Sequence, residues 1–251
     1  MKISDMLFRL TCKVTAIDST KNLGWGGTGF FFIFDYNDKT KQGYPAIVSN
    51  RHVFEGANEA RFIFQGKDDQ PYEINIDKFD EKVILHPNPE VDLAIYPCSQ
   101  EVIELNEACG WGNNWITDDL LLTNEKIINE YSDIENVLTM GYPYGISDLS
   151  NNIPIARMGI TATPMRLDYE GKPEFLIDAL IVEGCSGSPV FVFDKLVSSK
   201  NNTRTFFEAA RFAGIVYSGI EQNKYLYLIR VLKASLILDF MPLIKSYHAQ
   251  Q

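Results

Sequence analysis

The chain has few of the residues that build metal sites or covalent cross-links. Histidine occurs three times and cysteine four times in 251 residues. The cysteine spacing fits neither a zinc site nor a disulfide framework, so neither is expected. Long hydrophobic runs are missing too: no apolar segment is long enough to span a bilayer, and we expect no membrane partner. The cysteines are Cys12, Cys98, Cys109 and Cys185.

Positive charge is also scarce. Lysine and arginine total 23 against 33 acidic residues, and the formal net charge is −10. Nucleic-acid binding draws on a basic surface, so this balance predicts no nucleic-acid partner. Residues 1–10 contain no long apolar core and no small-residue cleavage site, and we expect no signal peptide. With 45% hydrophobic and 22% charged residues, the overall composition is that of an ordinary globular protein.

Short apolar runs separated by turns occupy most of the chain. They are rich in β-branched and aromatic residues and predict an all-β barrel or sandwich. Residues 100–136 are less regular, and we interpret them as the crossover into a second barrel. Residues 230–240 have helical apolar spacing, and Pro242 just beyond them is typical of a helix end. The predicted strands are 9–16, 28–36, 45–50, 60–65, 72–76, 82–85, 93–96, 137–143, 156–164, 175–182, 190–193, 212–217 and 225–229.

A tight loop of small residues, 183–189, separates two of these apolar runs. Its glycines, Gly184 and Gly187, can adopt backbone conformations closed to other residues and can turn N–H groups towards one point. Ser186 lies between them, so its hydroxyl is expected beside donors that stabilise an oxyanion. Nucleophilic acyl transfer requires such a hydroxyl and such donors.

A serine hydroxyl is a poor nucleophile at neutral pH unless a base activates it and a third group orients the base. His52 follows an apolar strand, whereas His86 lies in a turn with two prolines and His248 lies near the C-terminus. Asp92 is set into an otherwise apolar segment, where a carboxylate is costly unless it is hydrogen-bonded. An imidazole N–H would satisfy it, so His52 and Asp92 are the candidate base and orienting acid.

The order His52, Asp92, Ser186 resembles that of the trypsin/chymotrypsin-like serine peptidases. Five short motifs resemble the family's strand entry, histidine motif, aspartate motif, nucleophile loop and substrate-pairing strand, in that order. Ser188 stands where glycine is more usual. One such motif would be weak, but five in order across nearly the whole chain form a strong signal. They are Gly27-Thr28-Gly29-Phe30, Ser49-Asn50-Arg51-His52-Val53, Val91-Asp92-Leu93-Ala94, Gly184-Cys185-Ser186-Gly187-Ser188-Pro189 and Gly214-Ile215-Val216-Tyr217-Ser218-Gly219.

The resemblance implies a double six-stranded β-barrel with a C-terminal helix. Residues 1–100 would form the N-terminal barrel with His52 and Asp92, and residues 101–251 the C-terminal barrel with Ser186. It also implies a serine endopeptidase acting on proteins or peptides, in which His52 takes the serine proton and Asp92 orients the imidazole. The N–H groups of Gly184 and Ser186 would form the oxyanion hole. Neither a metal nor a cofactor is needed, and acid should slow the reaction by protonating His52.

Position within the family pattern also implies the substrate pocket. The residue six before the serine lies at the base of the pocket for the side chain preceding the cut. Here it is Leu180, with Ile181 beside it, and no acid aligns there. We therefore expect a preference for an apolar or small side chain rather than for lysine or arginine. Three residues of the last motif would pair with the substrate backbone as an added strand: Tyr217, Ser218 and Gly219.

Cys185 departs from the family pattern. Members activated by N-terminal cleavage carry an acid at this position, so activation of that kind is not expected here. A cysteine nucleophile, which some viral relatives use, is disfavoured because Ser186 aligns with the nucleophile position. Val53 stands where secreted members commonly carry a cysteine, which favours a reducing cytoplasm and a bacterial, intracellular member of the family.

Two alternatives stay open. One is a pseudo-protease that binds peptides or partner proteins without cutting them, although the intact set of three catalytic residues argues against it. The other is a protease held inactive until an activating protein binds, with residues 109–131 as a candidate region for that control. A role in a bacterial stress or antiviral defence system is compatible with the sequence.

Overall fold

A computed structural model describes residues 3–112, 115–148, 150–200, 203–219 and 228–250, with the backbone alone for 195–200 and 203–208. The first part of the chain forms one sheet in the order β5-β4-β1-β2-β3-β7-β6, with β8 paired to β2 in parallel. Its strands are β1 Thr11–Asp18, β2 Leu23–Asn37, β3 Gln42–Ser49, β4 Glu59–Gln65, β5 Pro71–Asp77, β6 Ile84–Leu85, β7 Ala94–Pro97 and β8 Ile116–Thr117.

The second part of the chain forms a closed barrel in the order β10-β11-β14-β13-β12-β9. All of its ladders are antiparallel, and β12 and β13 form a long hairpin in which Lys200 pairs with Thr203. The strands are β9 Asn136–Gly141, β10 Ile155–Thr161, β11 Glu174–Asp178, β12 Pro189–Lys200, β13 Thr203–Gly219 and β14 Leu228–Lys233.

Five short α-helices lie outside the strands in the described part of the chain: α1 Ile3–Leu10, α2 Arg51–Phe54, α3 Val102–Cys109, α4 Asn124–Glu130 and α5 Met241–Ala249. Helix α1 is amphipathic, and Met6, Leu7 and Leu10 are its buried residues. Helix α3 ends at Gly110, which has a left-handed φ of 65°. Within the described residues, none of the helices has the length and apolar character needed to cross a membrane.

The core has two parts, one under the sheet and one inside the barrel. Aromatic side chains on the outside of the barrel join the first part, so the two sheets share a packed interface. The Phe212 ring lies 5.2 Å from Phe30 and 5.4 Å from Phe191, centroid to centroid. Ring pairs at these distances bury large apolar areas and favour tilted or edge-on contact. The interface therefore holds the sheet and the barrel in one arrangement.

The predicted all-β fold with a C-terminal helix is confirmed, with differences in detail. Among the described residues, the barrel has the expected six strands, whereas the N-terminal sheet has eight strands in an open order. The helix expected over residues 230–240 begins later: these residues form the end of β14 and the 3-10 segment Ala234–Phe240. Pro242 lies in the first turn of α5, where proline is tolerated because the helix does not use its missing N–H.

The pairing of the strands does not fix where the first predicted domain ends. Strand β8, at Ile116–Thr117, lies beyond residue 100 but pairs with β2 of the first sheet. The division between residues 100 and 101 stays a prediction. The strand expected over 225–229 falls partly outside the described residues, and β14 is described from Leu228 onwards.

Candidate active site

His52 and Asp92 meet because their strands are antiparallel neighbours. Ser49, the last residue of β3, pairs with Ala94, the first residue of β7. The chain beyond β3 and the chain before β7 therefore run side by side, which brings His52 of α2 to Asp92. Asp92 Oδ2 lies 2.6 Å from His52 Nδ1, and Oδ1 accepts the His52 backbone N–H at 2.9 Å. Both oxygens of the carboxylate are thus engaged by the same residue.

The backbone around Asp92 is also held. Asn50 Nδ2, from the residue preceding α2, donates to Asp92 O at 2.8 Å. The side chains of His52 and Asp92 are 49% and 23% exposed, so the ring remains open to a substrate. With Nδ1 donating to the carboxylate, the lone pair of His52 Nε2 is free to accept a proton.

Ser186 lies in the loop between β11 and β12, against strand β2 of the other sheet. Ser186 O accepts the Thr28 N–H at 2.8 Å. Gly27 allows this approach: a Cβ built there would lie 3.3 Å from Ser186 O and 2.8 Å from both Cγ atoms of Val53. The nucleophile loop and the residue after His52 therefore flank the same glycine. Within the described residues, the Ser186 hydroxyl makes no hydrogen bond, and its contact with His52 Nε2 is not formed.

The backbone of the nucleophile loop leaves two N–H groups open. Three of its N–H groups donate to backbone oxygens: Cys185 to Val182, Gly187 to Val216 and Ser188 to Cys185. The N–H groups of Gly184 and Ser186 have no acceptor in the described part of the chain. These are the two donors expected to form the oxyanion hole.

The orientation of the Gly184 N–H follows from a neighbouring bond. Tyr144 N–H donates to Glu183 O at 2.6 Å. In a trans peptide the C=O and N–H point in opposite directions, so the Gly184 N–H points away from Tyr144. Gly184 has φ +89°, and a Cβ built there would lie 2.4 Å from Tyr142 O. Both the conformation and the crowding require glycine at this position.

Cys185 faces the interior of the protein. The residue is 4% exposed, and burial raises the pKa of its thiol. A buried thiol with a raised pKa is a poor nucleophile, whereas the neighbouring Ser186 lines an open cavity. The four cysteines, all within the described residues, are unpaired and buried.

A cavity of about 270 Å³ opens beside Ser186. Four of the residues expected to bind substrate line it: Ile181, Tyr217, Ser218 and Gly219. Leu180 does not: it is 49% exposed and lies outside the cavity, because Ala179 is the neighbour whose side chain turns into the barrel core. The remaining lining residues are Val182, Glu183, Ser186, Val216 and Ile229.

The edge of β13 beside this cavity is available to another strand. The ladder between β12 and β13 reaches Ile215, and Val216 N–H donates to Ser188 O at 3.0 Å. Beyond Val216, residues 217–219 have no partner on that side in the described structure. On the outer side, Glu174 is buried and accepts hydrogen bonds from Tyr217 Oη and Arg230. Glu174 is therefore buried and paired, and it is not among the residues that line the cavity, whereas the exposed Glu183 is.

Sequence reasoning did not identify three residues that organise the site: Asn50, Thr28 and Tyr144. Asn50 and Thr28 lie inside motifs recognised in the sequence, but nothing in those motifs assigned their polar groups a partner. Tyr144 acts through its backbone and gives no sequence signal. Among the described residues, no group of three or more His, Cys, Asp or Glu side chains could hold a metal ion.

Comparisons with known proteins identify a family and a shared fold. The family model described as a trypsin-like peptidase domain matches residues 27–196. No curated protein matches the sequence. The active form of the Rv3671c protease from M. tuberculosis is 18% identical with a TM-score of 0.55, covering 96% of this chain and 83% of that one. The MamO protease domain from Magnetospirillum magneticum (apo form) is 11% identical with a TM-score of 0.51, covering 93% and 96%. At these identities the two structures show a shared fold.

Proposed function

Because this chain belongs to the trypsin-like peptidase family, we propose that it is a serine endopeptidase that uses Ser186, His52 and Asp92. The observation that carries the proposal is the pairing of His52 Nδ1 with Asp92 Oδ2 at 2.6 Å. This pairing leaves Nε2 as the acceptor that a serine hydroxyl requires.

In the proposed reaction, His52 Nε2 takes the proton as Ser186 Oγ attacks the peptide carbonyl. Asp92 stays ionised and stabilises the imidazolium. The carbonyl oxygen becomes an oxyanion that accepts the N–H groups of Gly184 and Ser186. His52 then donates the proton to the leaving amine, and water releases the acyl group by the same steps in reverse. The Ser186 hydroxyl closes onto Nε2 when substrate binds, as catalytic contacts in empty sites commonly do.

The cavity beside Ser186 supports an apolar or small side chain before the cleaved bond. Its walls include Ile181, Val216 and Ile229, and the nearby acid Glu174 is paired with Arg230. Glu183 is the acid among the described lining residues and it is exposed, so a lysine or arginine in the cavity would have no buried partner there. The substrate is proposed to be a protein or peptide whose backbone adds to the free edge of residues 217–219.

The cellular setting is also part of the proposal. Four unpaired, buried cysteines support a reducing compartment such as the cytoplasm. The formal net charge of −10 gives no support to a nucleic-acid partner. Control by an activating protein, and a role in bacterial stress or antiviral defence, rest on the sequence argument alone.

Fluorophosphonate labelling tests the proposal directly, because only an activated serine reacts. We expect the wild-type protein to be labelled and Ser186→Ala to be unlabelled. Ser188→Ala is the matched control: it lies in the same loop, is 1% exposed, and its hydroxyl has no partner among the described residues. We expect it to be labelled like the wild type.

A folded wild-type protein that resists the probe at neutral pH would instead identify a peptide-binding pseudo-protease. If labelling occurs, N-terminomics comparing cells that carry the wild type with cells that carry Ser186→Ala would identify the substrates. New N-termini that depend on Ser186 should follow small or apolar residues.

A further inference from the structure

Thr28 of strand β2 forms hydrogen bonds with the nucleophile loop and with two other segments of the chain. Its N–H donates to Ser186 O at 2.8 Å. Its hydroxyl donates to Gly184 O at 2.9 Å and accepts the Tyr142 N–H at 3.0 Å. Its carbonyl accepts the Ser49 hydroxyl at 2.7 Å. All four polar contacts of this fully buried residue therefore cross to other segments.

We propose that the Thr28 hydroxyl is the positioning group that holds the Gly184 and Ser186 N–H groups in the geometry of an oxyanion hole. The inference rests on the proposed function and adds a residue to it. Thr28 is a positioning residue rather than a catalytic one, because its side chain is 0% exposed and cannot touch substrate.

Hydrogen bonds to its peptide groups restrain the loop, and the bond from the Thr28 hydroxyl to Gly184 O is one of them. Gly184 and Gly187 have φ values of +89° and +87°, and glycine moves readily among backbone conformations. Cys185 lies between them, and its buried thiol carries no charge with which to form an ion pair. The order of the loop therefore depends on hydrogen bonds to its peptide groups.

The Thr28 hydroxyl contacts two groups that adjoin the Glu183–Gly184 peptide. The hydroxyl holds the next peptide along the chain through Gly184 O. It also fixes the Tyr142 N–H, two residues before Tyr144, whose own N–H holds Glu183 O. Without the hydroxyl, Gly184 O and the Tyr142 N–H both lose a buried partner. The peptide that presents the Gly184 N–H would keep its bond from the Tyr144 N–H, but the peptide after it would lose the restraint at Gly184 O.

The contact also links the two sheets. Thr28 belongs to β2 of the first sheet, whereas Gly184 and Tyr142 belong to loops of the barrel. The Thr28 carbonyl holds Ser49, which is three residues before His52. Thr28 therefore connects the nucleophile loop to the segment that carries the proposed base, through its hydroxyl on one side and its carbonyl on the other.

The test compares Thr28→Val, which keeps the shape and removes the hydroxyl, with Thr28→Ser, which keeps the hydroxyl. Thr11→Val is the matched control, because Thr11 is also 0% exposed but its hydroxyl donates to Leu7 O, away from the loop. Each variant is assayed for kcat and KM on a peptide substrate. Hydrogen exchange of the segment 183–188 is followed in parallel, and calorimetry verifies folding.

We expect Thr28→Val to lower kcat by about tenfold to hundredfold, up to the cost of one lost oxyanion donor. KM should change by less than about twofold, because the ground state does not use the oxyanion hole. Exchange in the segment 183–188 should rise. Thr28→Ser should restore kcat and the exchange of 183–188 to wild-type values. Thr11→Val should leave both unchanged even if it lowers the melting temperature. If Thr28→Val does not fold, Thr28→Cys takes its place as a weaker donor of similar size.

Equal kcat values and equal exchange for Thr28→Val, Thr28→Ser and Thr11→Val would overturn the inference. A fall in kcat that tracks only the melting temperature in all three variants would overturn it too. If the wild type is inactive, the proposed function fails by itself, and hydrogen exchange alone decides the inference. Faster exchange of 183–188 in Thr28→Val alone would then support the positioning of the loop, and unchanged exchange would reject it.

Discussion

Replacement of Asp92 by asparagine separates the two tasks of this carboxylate. Oδ1 accepts the His52 backbone N–H at 2.9 Å, and Oδ2 lies 2.6 Å from Nδ1. An amide can supply only one of these two acceptors. Because a backbone N–H can only donate, the amide oxygen should remain opposite it and the NH₂ group should face Nδ1. Nδ1 must then accept a hydrogen bond, and the ring proton moves to Nε2.

A ring protonated at Nε2 has no lone pair for the Ser186 hydroxyl, so the variant should lose its general base while keeping its shape. An imidazole held in the wrong tautomer costs a serine protease about 10⁴ in kcat. Four factors of ten correspond to about 5.4 kcal/mol of activation free energy. We expect a loss of this order in Asp92→Asn, with KM within about twofold of the wild type.

Two measurements test this reasoning separately. Steady-state kinetics with a peptide substrate gives kcat, and ¹⁵N NMR of the imidazole nitrogens gives the tautomer. The spectrum is tractable because the chain has three histidines. Glu90→Gln serves as the control, since it removes one charge from the same loop at an exposed side chain. The reasoning is refuted if Asp92→Asn keeps kcat within about tenfold of the wild type, or if the proton moves to Nε2 and kcat does not fall.

Two further predictions concern stability. Thr139→Val should stabilise the fold by about 1 kcal/mol, or about 2–4 °C in melting temperature. The reason is that its hydroxyl is buried without a partner among the described residues; a lower melting temperature in calorimetry would contradict this. Bonds from Lys21 and Thr20 lower the pKa of Asp18 to about 2. The ionised carboxylate therefore stabilises the fold above its unfolded pKa of about 3.9 and loses that effect as the pH falls towards 2. Asp18→Asn should melt earlier than the wild type at pH 7, and the difference should shrink across that window.

The pairing of His52 with Asp92 could be predicted because it follows from the residues immediately around each of them. An acid inside an apolar strand needs a donor, and a histidine after a buried strand can supply one. The structure adds the register, Ser49 opposite Ala94, that brings the two together. That register depends on the pairing of β3 with β7 over a long sequence separation. No pattern within either segment encodes it.

Other features depended on packing that the sequence does not display. Leu180 aligned with the base of the substrate pocket, but the chain places Ala179 in the barrel core and leaves Leu180 49% exposed. Residues 230–240 have apolar spacing that suits a helix, yet β14 continues to Lys233 because its partners in β11 and β13 outweigh local preference. The C-terminal helix exists, but it begins at Met241.

The C-terminal segment contributes to the site in a way that its position in the chain does not suggest. Asp239 Oδ2 lies 3.2 Å from His86 Nε2, and the Phe240 ring lies 5.2 Å from the His86 ring. His86 N–H donates to Leu93 O, and His86 O accepts Arg51 Nη2 at 2.6 Å. Leu93 and Arg51 are the residues next to Asp92 and His52. His86 therefore connects the 3-10 segment that follows the barrel to the residues next to the proposed base and its acid. Through this one residue, the C-terminal segment contacts the part of the first sheet that carries the candidate base.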